Sequence, residues 1–523
     1  MYHPDPDKFL LYARRGNLIP IYRDLCADTE TPVSAFKKID RYSSSFLLES
    51  VVGGEKIARY SFLGSNPVRI FQADRDGVII KDSNNSLGNT AQPNSSNSCR
   101  KSKTRGENPL FSLRDLMAKY RPVAVEGLPR FIGGAVGYIS YDMVRYAERL
   151  PEIATDVLNL PECLFFITDT LLIFDHMTNR IKVLSHAYLE DEESKGNEQK
   201  KSLYRAYENA VTRIEGVIEN LKRPLPSISS LEEPVSGSLP FQSNFEPEAF
   251  KAAVRRAKEY ISAGDIIQVV LSQRFSTPVC CDPFDIYRAL RLINPSPYMF
   301  YLKHHGLKII GSSPELMVRM EDSHVEERPI AGTRKRGSTE EEDELLAEEL
   351  LADPKERAEH IMLVDLARND MGRVCEYGSV KCPELMTIER YSHVMHIVSQ
   401  VTGKISEGRD PYDCLIACFP AGTVTGAPKI RAMEIIEEME PVIRGPYAGA
   451  VGYFSFSGNM DTCITIRTMV VKDGHAYIQA GAGIVADSDP EKEYQETVNK
   501  AKAAMDAIRL AEGGKMPECP QNS

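Results

Sequence analysis

The chain has 523 residues, 42% hydrophobic and 26% charged, the balance of a globular protein with room for roughly two to four domains rather than a disordered or fibrous one. Its 63 Lys and Arg against 74 Asp and Glu leave a net charge of −11, which argues against a dedicated nucleic-acid binder built on a basic face. The N-terminal MYHPDPDKFLLYARRGN has no apolar core of signal-peptide length, and the longest apolar-rich stretch, 163–174, carries Asp169 and is too short to span a bilayer. The 11 Cys include no C-x-x-C pair, so they read as reduced thiols in a cytoplasmic protein that is no membrane component.

In chain order, residues 1–221 form a first region, 222–244 a Pro/Ser-rich linker and 245–512 a second region. Asn/Ser-rich residues 82–108 read as a mobile surface insertion in the first. Segment 133–140, GGAVGYIS, is echoed by 448–455, AGAVGYFS. The echo predicts related glycine-bearing strands in a duplicated sheet architecture. Glu246–Ser262 has helical periodicity and Ile266–Phe275 alternates as a strand. Residues 339–369 read as helix with a break near Asp353-Pro354. Three strands are expected at Val451–Phe456, Cys463–Val471 and Ala476–Ala480. A last helix opens at Ser488-Asp489-Pro490 and runs to about Glu512. Because helices and strands do not alternate regularly, the expected class is α+β with antiparallel sheets.

The chemistry-bearing residues lie mostly in the second region. Glu356 and Glu359 share a helix face at i, i+3, and Glu493 and Glu496 repeat that spacing. Two such pairs facing one another could hold Mg²⁺, which takes one or two carboxylates and keeps waters for substrate oxygens to replace; alone, each pair is equally ordinary solvated surface. Before the second pair stands Ala480-Gly481-Ala482-Gly483, read as a small-residue loop whose backbone can approach an anion closely. Neither a G-x-G-x-x-G fingerprint nor a Walker-type phosphate loop is present. Arg467, read as lying within the apolar strand CITIRTMVV, needs a carboxylate partner from the protein or a ligand. Thr423, Tyr447 and His396 offer hydrogen-bonding groups, although His393 and His396 share a spacing that helix packing alone could explain.

Taken together, DIIQVVLSQRF (265–275), GSSPELMVR (311–319), RPIAGTRKRG (328–337), AEHIMLVDLARNDMGRV (358–374), FPAGTVTGAPKIRAMEII (419–436), GPYAGAVGYFSFSGNMDTCITIRTMV (445–470) and AGAGIVADSDPEKEYQETVNKA (480–501) resemble the chorismate-utilising enzymes, most closely the anthranilate synthase component I family. The N-terminal half matches more sparsely, through TPVSAF (31–36), FLLESVVGGEKIARYSFLG (46–64) and GGAVGYISYD (133–142).

The resemblance implies two large packed antiparallel sheets with outer helices and a cleft where chorismate and ammonia become anthranilate and pyruvate. It implies that Glu359 and Glu496 bind Mg²⁺ directly, Glu356 and Glu493 through water, and that Gly481, Ala482, Gly483 and Thr423 cradle the ring carboxylate. Tyr447 and Arg467 would grip the enolpyruvyl carboxylate, and Gly332 and Thr333 would line the substrate. Glu315 would be the general acid for the departing 4-hydroxyl, with His396 beside the ring. No amidotransferase cysteine motif is present, so ammonia is expected from a separate glutamine amidotransferase subunit.

Two neighbouring activities are disfavoured by single residues. Isochorismate synthases carry a Lys base where this chain has Gln268, and aminodeoxychorismate synthases a Lys where it has Ala331. Relatives that stop at 2-amino-2-deoxyisochorismate, and a non-catalytic chorismate- or tryptophan-binding regulator, are the remaining alternatives. The resemblance finally implies a remote tryptophan pocket made by Pro32, Glu49, Ser50, Pro297, Tyr298 and Met299.

Overall fold

The computed structural model describes residues 1–51, 59–83, 99–102, 107–189, 197–226, 231, 239–391 and 394–513. Its frame is two twelve-stranded antiparallel sheets, each containing strands from both halves of the chain. In the first sheet the halves meet where Ser44–Glu49 pairs with Tyr298–His304, Leu47 opposite Tyr301. In the second they meet where Gly134–Ile139 pairs with Ala450–Ser455. These are the two echoing sequence segments, and Gly137 lies directly opposite Gly452. A Cβ at Gly137 would stand 1.9 Å from the Leu164 carbonyl oxygen and one at Gly452 2.1 Å from that of Asp461, so glycine is what lets each seam strand approach its other neighbour, Cys163–Thr168 or Met460–Ile464.

The duplication runs through the whole fold. In each half a long strand, Leu18–Cys26 or Gln268–Pro278, leads through a Pro-initiated helix (Pro32–Ile39 or Pro283–Ile293) into a hairpin, Ser44–Glu49 with Tyr60–Ser65 or Tyr298–His304 with Leu307–Ser313. The chain then leaves the first sheet through a Gly-Ser-x-Pro turn, Gly64-Ser65-Asn66-Pro67 in one half and Gly311-Ser312-Ser313-Pro314 in the other. It returns at Asp169 between strands Cys163–Thr168 and Thr170–Asp175, and at Arg467 between Met460–Ile464 and Thr468–Lys472. Each half closes with a long helix, Asn197–Leu221 or Pro490–Ala511, packed on the last strand.

Burial on both faces explains the apolar sequence of these strands. In Ser44–Glu49, Phe46 joins the cluster between the sheets with Phe62, Phe166 and Phe300, whereas adjacent Leu47 joins the cluster beneath the outer helices with Phe36 and Phe284. Successive side chains point to opposite faces, so a strand covered twice shows no polar alternation. The outer face of the second sheet is covered in turn by helices contributing Leu113, Val364 and Leu415. Helices, sheet, sheet and helices thus make four layers, the expected α+β arrangement.

Several local expectations are corrected. Residues 84–98 and 103–106 of the expected insertion, and 227–230 and 232–238 of the expected linker, lie outside the described residues. Within those segments, Cys99–Ser102 pairs with Gly77–Asp82 and Gln242–Ser243 with Gln268–Pro278 as strands. The expected helix 339–369 is two helices, Glu340–Ala352 and Pro354–Gly372, broken at Asp353, whose carboxylate caps the second by accepting from the Lys355 and Glu356 N–H groups. The apparent strand Cys463–Val471 is split between the two sheets. Among the described residues no helix is long and apolar enough to cross a membrane.

Candidate active site

A cleft of about 590 Å³ opens where the chain passes between the sheets in the C-terminal half, and most of the residues singled out from the sequence line it. Glu315 lies just past the Gly-Ser-Ser-Pro turn, only 8% exposed. Burial pushes its carboxyl to about 8, against the opposing pull of the Thr423 hydroxyl and the Lys500 ammonium. Thr423 sits in the short turn Gly422–Val424, and its Oγ1 is buried without a hydrogen-bond partner, near enough to influence Glu315 but outside bonding geometry.

Arg467 stands at the crossing between the sheets with φ 51, a left-handed conformation rare for a side chain of this size. It lies between strands, not within one as the sequence suggested. Its Nη1 donates to the Lys500 carbonyl oxygen at 2.8 Å, and among the described residues it has no carboxylate ion pair. Burial lowers its pKa, partly offset by Tyr447 and Glu496. Such a guanidinium is poised for an external carboxylate. Tyr447 lies beside it, raised to about 12 chiefly by burial.

Behind Tyr447 is a polar network that sequence reasoning did not anticipate. Arg444, with 1% of its side chain exposed, binds Glu440 at 2.6 Å. It also donates to the Val424 and Val270 carbonyl oxygens, each at 2.7 Å, and its guanidinium lies 5.6 Å from the Tyr447 ring. Glu440 accepts from the Ser272 N–H and hydroxyl, and Gln479 Nε2 donates to that hydroxyl. One buried cation therefore fixes both the Thr423 turn and the strand floor. An Arg four residues after a Glu reads as an ordinary helix-surface pair, so its burial left no sequence signal.

Gly481 and Gly483 lie in strand His475–Ile484, opposite Ser272 and Val270, correcting the expectation of a loop. Their missing side chains admit neighbours: a Cβ would meet the Tyr447 hydroxyl at 2.7 Å in one case and Gln268 Nε2 at 2.5 Å in the other. Ala482 turns its methyl into an apolar cluster on the other face and is not among the described residues that line the cleft.

The four paired carboxylates do share the cleft. Glu359 is raised first by burial, then by Glu356, and also by Glu496; Glu493 is raised by burial and by Glu496. Two have cationic partners, Glu356 with Arg334 at 3.3 Å and Glu496 with Lys500 at 2.7 Å. Among the described residues, the Glu359 carboxylate has only Gln268 Nε2 as a hydrogen-bond donor, at 3.4 Å. Among the described residues no three acidic, His or Cys side chains converge as a ready cation cage. Crowded carboxylates around an open cleft nevertheless fit Mg²⁺, which needs few protein ligands and prefers oxygen. Lys500, missed in the sequence, also donates to the Gly481 carbonyl; its i+4 spacing from Glu496 was the available clue.

His396 is on strand Val394–Lys404, not a helix, and His393 lies outside the described residues. Its Nδ1 approaches the Gly332 carbonyl at 2.8 Å and Thr333 Oγ1 at 3.1 Å. The carbonyl can only accept, which assigns the proton to Nδ1 and leaves Nε2 as an acceptor. Burial lowers its pKa, so the imidazole is neutral at pH 7. Gly332 has φ 67, and a Cβ there would meet Leu350 Cδ1 at 3.0 Å and Glu356 Oε2 at 3.1 Å.

A second cavity of about 290 Å³ joins the halves and is lined by Glu49, Ser50, Pro297, Tyr298 and Met299; Pro32 is not among the described residues that line it. The Glu49 carboxylate is already engaged by the Tyr287 hydroxyl and by Arg291 at 3.3 Å. Tyr298 accepts from Arg319 and donates to Asp461, each at 3.0 Å, so only its ring offers an apolar wall.

An open cleft with a carboxyl of raised pKa, a guanidinium without a carboxylate partner among the described residues and crowded carboxylates suits a multiply charged anionic substrate. The family of chorismate binding enzymes matches residues 71–506. Anthranilate synthase component 1 from Acetivibrio thermocellus is 49% identical over 516 residues, spanning 98% of this chain and 99% of the relative. The crystal structure of anthranilate synthase component I from Streptococcus pneumoniae TIGR4 is 36% identical with a TM-score of 0.73, over 92% of this chain and 99% of that one. The menaquinone-specific isochorismate synthase from Escherichia coli shares the fold at 17% identity and a TM-score of 0.66, over 96% of this chain and 98% of that one. The chain belongs to the chorismate binding enzyme family and, within it, to the anthranilate synthase component 1 family. It is a chorismate-utilising lyase.

Proposed function

We propose that the cleft converts chorismate and ammonia to anthranilate and pyruvate through 2-amino-2-deoxyisochorismate, the first committed step of tryptophan synthesis. The observation that carries the assignment of roles is the half-buried Arg467 guanidinium, without a carboxylate partner among the described residues, in the same cleft as Glu315 with its raised pKa. Arg467 and Tyr447 hold the enolpyruvyl carboxylate. Thr423 and the backbone of Gly481, Ala482 and Gly483 receive the ring carboxylate. Gly332 and Thr333 flank the ring.

Ammonia forms the new bond at C2 while the ring double bonds shift and the C4–O bond breaks. Glu315 gives its proton to the departing oxygen, so water leaves. In the second half, the C2 proton is removed, its electron pair forms the C2–C3 double bond that makes the ring aromatic, and the C3–O bond breaks with its electrons leaving on the enolpyruvate oxygen; protonation of the methylene carbon then gives pyruvate. His396 presents a neutral Nε2 able to accept that proton. Gln268 cannot deprotonate water as an amine would, which favours ammonia as nucleophile. Glu359 and Glu496 would hold Mg²⁺ directly and Glu356 and Glu493 through water. When bound, the ion neutralises and orients the ring carboxylate.

A separate glutamine amidotransferase subunit supplies ammonia, and the enzyme works in the cytoplasm. Tryptophan inhibits from the cavity between the halves, which is lined by residues of both. Incubating the pure chain with chorismate, Mg²⁺ and either ammonium or glutamine, with mass spectrometry of products, tests this reading. Anthranilate from ammonium alone supports it. A 4-amino or hydroxylated product, or vigorous use of glutamine by the chain alone, overturns it.

A further inference from the structure

A third cavity, of about 220 Å³, lies in the N-terminal half beneath helix Asn197–Leu221 and shares no lining residue with the other two. It is built from the same repeat as the active site. The turn ending in Pro314-Glu315 corresponds to Pro67-Val68, and the crossing at Arg467 corresponds to the crossing at Asp169. Lys500, which donates to the Gly481 carbonyl, corresponds to Arg213, which donates to the His186 carbonyl at 2.6 Å. With Val68 in place of Glu315, this copy lacks the general acid and cannot repeat the chemistry. It has kept a charged cavity.

The charges are preorganised and incompletely used. Asp169 is 6% exposed; its Oδ1 accepts from Thr170 Oγ1 at 3.0 Å. Its Oδ2 forms an ion pair with Arg213 Nη2 at 3.6 Å, beyond hydrogen-bond range, and has no hydrogen-bond partner among the described residues. Ser65 Oγ, lining the same cavity, is likewise buried and unpartnered. Arg213 is anchored through Nε to Ser185 Oγ at 2.9 Å and through Nη2 to the His186 carbonyl. Leu63, Leu171 and Val217 supply an apolar wall. Buried polar atoms without partners cost stability unless a ligand or water satisfies them. A simple amine would answer Asp169 but bring its charge against Arg213, and a simple carboxylate would do the reverse. A molecule carrying both charges answers both.

We propose that this cavity is a second effector site for a zwitterionic α-amino acid with an apolar side chain, its ammonium between Asp169 Oδ2 and Ser65 Oγ, its carboxylate at Arg213 and its side chain against Leu63, Leu171 and Val217. Strand Tyr60–Ser65 gives Tyr60 and Phe62 to the cavity between the halves and Leu63 and Ser65 to this one, so the two sites share a structural element.

Isothermal titration of the full chain with leucine, isoleucine, valine, methionine and phenylalanine tests the proposal. At least one should bind. Its methyl ester and its N-acetyl derivative should each bind at least tenfold more weakly. Binding should persist in Ser50→Phe, which fills the cavity between the halves, and fall at least tenfold in Asp169→Asn. Gly216→Phe guards against misfolding of the buried-site variant: Gly216 lines the cavity, a Cβ there meets nothing within 4 Å, and the ring should fill the space. The proposal is overturned if none of the five binds at millimolar concentration, if either derivative binds as well as the parent, or if binding is lost in Ser50→Phe or kept in Gly216→Phe.

Discussion

Raising the pH should switch this enzyme off through Glu315. The active form of a general acid is the one that carries the proton, so activity is present below its pKa and lost as pH rises through it. At its ordinary value of 4.5 this carboxyl would be protonated in only about one molecule in three hundred at pH 7; raised by burial to about 8, it is protonated in about nine of ten. The kcat/KM for chorismate, which reports groups of the free enzyme, should therefore be nearly flat from pH 6 to 7, halve near about 8 and then fall about tenfold per pH unit. Anthranilate fluorescence reads the rate directly, provided that free ammonia rather than total ammonium is held constant across the series. Glu315→Gln keeps the size but removes the transferable proton, and should lower the rate by about 10²–10⁴-fold while abolishing the alkaline limb. A limb that persists in Glu315→Gln, or a wild-type rate unchanged to pH 10, would refute the assignment of Glu315 as the acid.

Glu359→Gln and Glu496→Gln should each nearly abolish turnover without unfolding the chain, since each removes charge from the proposed Mg²⁺ site at constant size; near-normal rates at low Mg²⁺ would exclude those ligands. Arg444→Met should cost about 3–5 kcal/mol of stability by leaving the buried Glu440 carboxylate unpaired. Arg444→Met with Glu440→Leu should recover most of the thermal midpoint but not the rate, because the Val424 and Val270 carbonyls still lose their donor; full recovery of turnover would show that the network only stabilises the fold. Ser50→Phe should leave uninhibited turnover intact and abolish inhibition by tryptophan, read as anthranilate formation against tryptophan concentration; equal inhibition of both proteins would remove that cavity as the regulatory site.

Local chemistry was enough to locate much of this protein. The break at Asp353-Pro354, the Asp489 cap and the i, i+3 carboxylates are written in neighbouring residues, because caps, proline and helical spacing act within a turn or two. The echo of GAVGY also pointed to a duplicated sheet. Tertiary structure alone decided that those segments lie side by side. It also decided that the single apolar run CITIRTMVV passes between two sheets with Arg467 at the crossing. Strands covered on both faces lack the alternation that would mark where one ends and which way its side chains point. Burial is likewise a property of what packs from far away in sequence: Glu440 and Arg444 look like a solvated pair until strand Gln268–Pro278 and the Thr423 turn close over them, and Glu315 is an ordinary carboxylate until the sheets surround it.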